Sequence, residues 1–237
     1  MCRDHLSVHR LVVQRIHEEW PKALKEAYIT PLLKKPTLDS NDINNCRPIS
    51  NLSVLTKLLE KAVCKQLVSY LDANNLMPRN QSAYRRNHST ESALTKVCSD
   101  IKSAIDNGNL VLLSLLDLSA AFDCVDHEIL LNRLSHSFGT QSKVLKWLTS
   151  YLTGRTQCVH LSGKISFVET MRYGVPPGSV LGPLLFLLYT AGIFMQTTSN
   201  YTSTVDPMIH NLSCIFNIGL WMSSNRLRLN PSKTEIL

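Results

Sequence analysis

Residues 110–116 (LVLLSLL) form an apolar run that ends in an acid, Asp117, and this stretch restricts the fold of the 237-residue chain more than any other. Apolar side chains at successive positions, broken only by Ser114, are expected of a strand buried on both faces. An ionised carboxylate is costly to bury, so Asp117 must face water, a metal or a cationic partner. A second acid at Asp123 and an aromatic at Phe122 follow closely. That grouping suits binding a divalent metal together with substrate phosphates. On spacing alone, an acid that caps the next turn and touches no ligand is the commoner occurrence.

Around this strand the sequence reads as mixed helix and strand. Residues 5–28 have a helical pattern, with Leu6, Leu11, Val12, Val13 and Ile16 near one face and Trp20-Pro21 breaking or ending it. Residues 27–33 look like a strand, followed by a polar, turn-forming loop. Ser53 is placed to cap a helix carrying Leu55, Leu58, Leu59, Val63 and Leu67 through to residue 71. A further helix is expected from Thr90 to about Asn107, opening on Ser89-Thr90-Glu91-Ser92. Asp126 should cap a helix through His127, Ile129, Leu130 and Leu134, and residues 143–152 should form another. RTQCVHLS, a turn at Gly163 and KISFVETMRY make a hairpin. The loop GVPPGS opens an apolar helix over 180–189, and after Gly192 the chain turns polar and patternless until a helix from about 209 to 225.

Charge narrows the partners. The sequence has 25 Lys plus Arg against 18 Asp plus Glu, a formal net charge of +7. That balance favours a polyanion, with nucleic acid ahead of a membrane surface. The seven cysteines are scattered with no CxxC, which argues against a disulfide frame or a zinc site and for reduced, intracellular thiols. No N-terminal secretory signal is evident, so the Asn-x-Ser/Thr triplets carry little meaning. The longest apolar stretch, 180–195, contains Pro183, Tyr189 and Gly192 and falls short of a bilayer span. His5 and His9 have helical spacing, but no acid or third ligand accompanies them, so a polar helix face is the better account.

The wider pattern around Asp117, LLDLSAAFDCVDHEILLNRL, resembles motif A of reverse transcriptases, particularly those of non-LTR retrotransposons of the jockey-like and related branches. AYITPLLKKP, NCRPISNLSVLTKLLEKAVCKQL and NQSAYRRNHSTESAL resemble the family's fingers blocks. GVPPGSVLGPLLFLLYTA resembles motif B, and WMSSNRLRLNPSKTEIL resembles motif D with its preceding helix. These blocks occur in the family's order over nearly the whole chain.

The resemblance implies an α+β fold of the right-hand polymerase type: mostly helical fingers over residues 1–108 and a palm over 109–237. It implies RNA-directed DNA synthesis, with an RNA template, a DNA primer, deoxynucleotide triphosphates and Mg²⁺, or Mn²⁺ in its place. Asp117 would be the motif A metal ligand, and Phe122 would lie under the incoming sugar and discriminate against a 2′-hydroxyl. Lys34 or Lys35, Arg47, and Arg85 or Arg86 would offer cations to the triphosphate or the template backbone. Guanidinium groups clamp phosphate bidentately, and backbone contacts need no base identity. Gly174 and Gly178 would let the motif B backbone approach the template–nucleotide pair, and Lys233 would be the motif D lysine that protonates departing pyrophosphate. Read singly, each cation is also a plain solvated residue and each glycine an ordinary loop residue. By analogy with the element's life cycle the protein is expected in the nucleus or cytoplasm.

The chain also departs from the family. Polymerase chemistry needs two divalent ions about 3.5–4 Å apart, and one carboxylate cannot hold two mutually repelling dications. The family supplies the rest from motif C, an aromatic-Ala-Asp-Asp hairpin between motifs B and D. No Asp-Asp pair occurs in this sequence, and between Glu169 and Glu235 the only acid is Asp206, beside Pro207. An internal deletion is the simplest account, in the gene itself or by a gene model that skips the coding stretch. It should cost stability as well as chemistry, leaving an exposed edge or partly uncovering Leu113 and Leu115. Pro177 stands where the family usually has Gln, removing an amide that would contact the template. An endonuclease before residue 1 and a thumb after Leu237 are also expected to be missing, which would make duplex binding weak and salt-sensitive. The expectation is therefore a reverse transcriptase domain inactive as written. The alternatives are a non-catalytic nucleic-acid-binding remnant or an unstable translated fragment.

Overall fold

The computed structural model describes residues 19–78, 81–109, 111, 113–161, 163–198 and 207–236. Along them run β1 (Glu26–Leu33), β2 (Cys46–Asn51), α1 (Val54–Ala73), α2 (Thr90–Asp106), β3 (Ser114–Leu115), β4 (Leu118–Ser119), α3 (His127–His136) and α4 (Ser142–Leu152). Next come β5 (Thr156–Leu161), β6 (Lys164–Ile165), β7 (Glu169–Thr170), α5 (Gly182–Thr198), α6 (Pro207–Ser224), β8 (Arg228–Leu229) and β9 (Glu235–Ile236). The described residues divide into two compact units. One comprises 19–76 and 122–189; the other comprises 77–121 and 190–236.

The first unit is built on a sheet of order β2-β1-β5-β6, with β7 also paired to β5. β1 is antiparallel to β2, from Tyr28 opposite Asn51 to Leu33 opposite Cys46, and parallel to β5, from Glu26 opposite Thr156 to Ile29 opposite Val159. β1 alternates along its first half, with Ala27 and Ile29 buried and Glu26 and Tyr28 exposed, as a strand with one covered face must. Helices supply the rest of the core: Val63, Leu67 and Leu71 of α1, Leu130 and Leu134 of α3, Trp147, Leu148 and Leu152 of α4, and Leu181, Leu184 and Leu188 at the start of α5. Trp20 is locked edge-on against Trp147 (ring centroids 5.4 Å apart) and Tyr151 (5.0 Å), and its backbone N–H donates to Ser150 Oγ at 3.0 Å. Such ring pairs add about 0.5–1.5 kcal/mol each beyond the area they bury.

The expected first helix is not found in the part described. Residues 5–18 lie outside the described residues, Lys22–Leu24 make a single 3-10 turn, and β1 starts at Glu26. The strand wins because β5 satisfies the backbone of residues 26–29, a partner that no local pattern announces. The strand over 27–33, the α1, α2, α3 and α4 helices, the hairpin at Gly163 and the helix opened by GVPPGS are all present. Their start signals act as expected. Ser53 Oγ accepts from Thr56 N at 3.1 Å, and Asp126 Oδ1 accepts from Glu128 N and Ile129 N at 2.9 and 3.1 Å. Ser89 and Ser92 exchange side-chain bonds to each other's backbone N–H as a capping box.

The buried stripe of α1 differs from the expected one. It runs Thr56, Glu60, Val63, Leu67 and Leu71, while Leu55 and Leu58 face outward. α5 continues past Gly192 to Thr198, into the stretch expected to be patternless, and 199–206 lie outside the described residues.

The second unit holds α2, α6 and two short antiparallel ladders. Ser114 pairs with Ile236 and Leu115 with Glu235, while Leu118 pairs with Leu229 and Ser119 with Arg228. Of the long strand expected over 110–116, the described residues form only β3, and Leu115 is 46% exposed rather than covered on both faces. Residues 110 and 112 lie outside the described residues. None of the residues of α2 is buried. No helix among the described residues is long and apolar enough to cross a membrane.

Candidate functional site

In the second unit, Asp117 sits in the two-residue gap between β3 and β4. The paired ladders bring the loop between β8 and β9 to it. Its carbonyl accepts from Asn230 N at 2.8 Å, and its Oδ2 accepts from Asn230 Nδ2 at 3.1 Å. The Asn230 Oδ1 takes the backbone and hydroxyl of Ser232 at 3.2 and 2.7 Å, and its carbonyl takes Lys233 N at 3.2 Å. This Asx-type turn presents Lys233 to the acid: Nζ lies 3.7 Å from Asp117 Oδ2. The structure thus joins two residues singled out from the sequence, Asp117 and Lys233, and adds Asn230, which was not. An Asn-Pro turn two residues before a lysine is the signal that could have found it.

In the first unit, Phe122, Asp123, Gly174 and Gly178 form a second constellation. Gly174 N donates to Val125 O at 2.7 Å, Val175 N donates to Phe122 O at 2.9 Å, and the His127 Nε2–H donates to Gly174 O at 2.8 Å. At Gly174, φ is +85°, and a Cβ there would come within 3.0 Å of both Asp123 Cα and Phe122 O. Only glycine allows the loop to lie this close to the chain after Asp117. The Phe122 ring is partly exposed and rests on Phe186 of α5, with centroids 5.1 Å apart. Desolvation pushes the Asp123 carboxyl above its ordinary value.

The far side of the same loop lies on β2. Ser50 N donates to Pro177 O at 3.3 Å, and Gly178, with φ +82°, faces Ser50 O. Pro177 therefore serves through its carbonyl, the one backbone polar group that proline keeps.

The remaining cations line exposed surface. Lys34 and Lys35 follow β1, and Lys34 Nζ donates to Asn44 O at 2.6 Å. Arg47 is exposed on β2, opposite Leu32. In the second unit Arg86 is exposed, and Arg85 donates to Pro78 O at 3.3 Å. All five are carried by loops or strand ends.

These residues do not fit a two-ion metal centre. Among the described residues, no group of three or more His, Cys, Asp or Glu could hold a metal ion. The Asp117 Oδ2 faces the Lys233 ammonium and accepts from the Asn230 amide.

A family model described as "Reverse transcriptase (RNA-dependent DNA polymerase)" matches residues 33–237. The probable RNA-directed DNA polymerase from transposon BS of Drosophila melanogaster is 33% identical over 174 residues, 73% of this chain and 19% of its own length. The RNA-directed DNA polymerase from mobile element jockey of the same species is 30% identical over 190 residues, 80% of this chain and 20% of its own. The chain therefore spans about a fifth of the length of these relatives. Among solved structures, telomerase from Candida tropicalis in complex with a fragment of telomeric RNA aligns with a TM-score of 0.62 at 11% identity, covering 90% of this chain and 41% of that one. The apo form of that telomerase gives 0.61 at 12%, covering 95% and 46%. These likenesses show the fold.

Proposed function

Because this chain belongs to the reverse transcriptase family, as a domain of the non-LTR retrotransposon kind, we propose that it retains the family's nucleic-acid-binding surfaces and has lost nucleotide addition. One observation carries the proposal. Asp117, the residue matched to the motif A metal ligand, is engaged by Lys233 and Asn230, and the sequence contains no Asp-Asp pair to complete a metal site. In this reading the fingers-like part is 1–108 and the palm-like part 109–237, and a deletion between motifs B and D removed the motif C hairpin. The exposure of Leu115 supports that loss, since the missing strands would have covered this region.

The remaining parts keep their assigned roles. Lys34 or Lys35, Arg47, and Arg85 or Arg86 offer cations to a triphosphate or to the template backbone. Phe122, propped on Phe186, offers a flat apolar face to a sugar, and the Gly174–Gly178 loop lies against the template–nucleotide pair. Lys233 faces Asp117 instead of serving a leaving group.

Primer extension on poly(rA)–oligo(dT) with deoxynucleotides and Mg²⁺ or Mn²⁺ tests this. The expected result is no extension. Extension that disappears in Asp117→Asn would overturn the proposal. The genomic or transcript sequence between the codons for Ile193 and Asn200 is the second check. A hairpin-coding stretch present in the mature message would restore an active polymerase.

A further inference from the structure

Glu60 is fully buried in α1, on the stripe between Thr56 and Val63. A buried carboxylate survives only with partners that replace its water. Here they come from two distant parts of the chain. Tyr151 Oη of α4 donates to Oε1 at 2.8 Å, and the backbone N–H of Val180 donates to Oε2 at 2.5 Å. Beside them lies the buried Arg155, whose guanidinium sits over the Tyr151 ring at 5.0 Å and donates to Tyr151 O at 3.1 Å. One acid thus ties α1 and α4 to the segment that enters α5.

The bond to Val180 falls at a consequential point. Ser179 Oγ accepts from Gly182 N at 2.9 Å, capping α5, and Val180 N has its acceptor in Glu60. The first N–H groups of a helix lack intrahelical acceptors, and a carboxylate is the strongest acceptor available to one just ahead of them. Upstream, the same segment carries Gly178 against Ser50 and Gly174 against Asp123. Downstream, α5 carries Phe186, on which Phe122 rests. Moving Val180 therefore moves both glycines and the support of Phe122.

We propose that Glu60 is a positioning residue: by holding Val180 N–H it sets where the Gly174–Val180 loop and the Phe122–Phe186 pair stand. The consequence for nucleic acid rests on the binding role proposed above for that loop; the positioning itself does not. Chain length decides the effect of substitution. Gln keeps the reach and an acceptor for Val180, and its amide donates to the Tyr151 oxygen once that hydroxyl turns. Asp keeps the charge and falls one methylene short.

The test is amide hydrogen exchange, read by mass spectrometry, on the full chain carrying Glu60→Gln or Glu60→Asp. In Glu60→Asp, peptides spanning 174–182 should exchange at least about tenfold faster than in the parent, with peptides of α3 and β5 little changed. Glu60→Gln should restore parental protection. Parental exchange in Glu60→Asp, equal acceleration in both variants, or acceleration spread evenly over the first unit would each overturn the proposal. Binding of an RNA–DNA hybrid is measured alongside. If the parent does not bind, the binding role fails while exchange still decides Glu60. If it binds, Glu60→Asp should bind several-fold more weakly and Glu60→Gln should match the parent.

Discussion

Lys233 Nζ stands 3.7 Å from Asp117 Oδ2, an ion pair closed across two short ladders that are themselves only two residues long. The two side chains keep 69% and 42% of their exposure, so water screens the pair. Exposed pairs of this kind contribute about 0.2–1 kcal/mol. Asp117→Asn and Lys233→Ala should each lower unfolding free energy by less than about 1 kcal/mol in urea titrations, and the double variant should show little coupling. A loss several times larger would mean that the acid is a structural anchor and not the remains of a catalytic one.

Gly174→Ala should be far more damaging. The added Cβ meets the Asp123 and Phe122 backbone, which cannot step aside, at a φ of +85°. The expected cost is about 2–3 kcal/mol. Gly163→Ala is the control: φ is +76° but nothing lies within 4 Å of the new carbon. It should cost about 1 kcal/mol, from backbone strain alone. Comparing the two urea midpoints isolates the close approach.

Asp123 gives a pH signature. Desolvation raises its carboxyl above the ordinary 3.8, so between the unfolded and folded values the native state holds a proton that the unfolded state has lost. Stability from this group is lost as pH rises through that window; Asp123 is exposed, so water screens the effect and keeps it small. Asp123→Asn should therefore be more stable than the parent at neutral pH, with the advantage vanishing below 3.8. Urea unfolding at several pH values measures it, and an advantage independent of pH would refute the desolvation argument.

The cationic surface predicts a salt law. Hybrid binding should weaken as salt rises, and Lys34→Gln, Lys35→Gln and Arg47→Gln should each lower affinity without regard to sequence. Each phosphate that a substitution leaves without its cation should reduce the slope of log K against log salt by about 0.7–0.9. An unchanged slope in the triple variant would place the nucleic acid elsewhere.

What the sequence made legible was local. Ser53, Ser89 and Asp126 announce helix starts because a cap and the N–H groups it satisfies lie within three residues of one another. The turn glycines and the apolar start of α5 are equally self-contained. What escaped depends on distant partners. Glu60 looks out of place on an apolar stripe until Tyr151 and Val180 arrive to satisfy it, and with them the buried face of α1 rotates away from Leu55 and Leu58. The stretch 19–28 resembles the end of a helix until β5 claims its backbone. At the candidate site, Asp117 and Lys233 belong to separate motifs; Asn230-Pro231 announces a turn, but nothing local says that the turn closes on Asp117.

The place of β1 bears on how the chain must be made. It is the strand to which both β2 and β5 attach, yet most of it precedes residue 33, where the match to the family model begins. A shortened version cut at that boundary would discard the keel of its own sheet along with Trp20. In the whole chain, β1 emerges from the ribosome 130 residues ahead of its β5 partner (Glu26 to Thr156), a wait of roughly 6–26 s at ordinary synthesis rates. Through that interval one side of the strand has no mate, and the yield of native protein from cells will turn on how well that raw edge is shielded from other nascent chains.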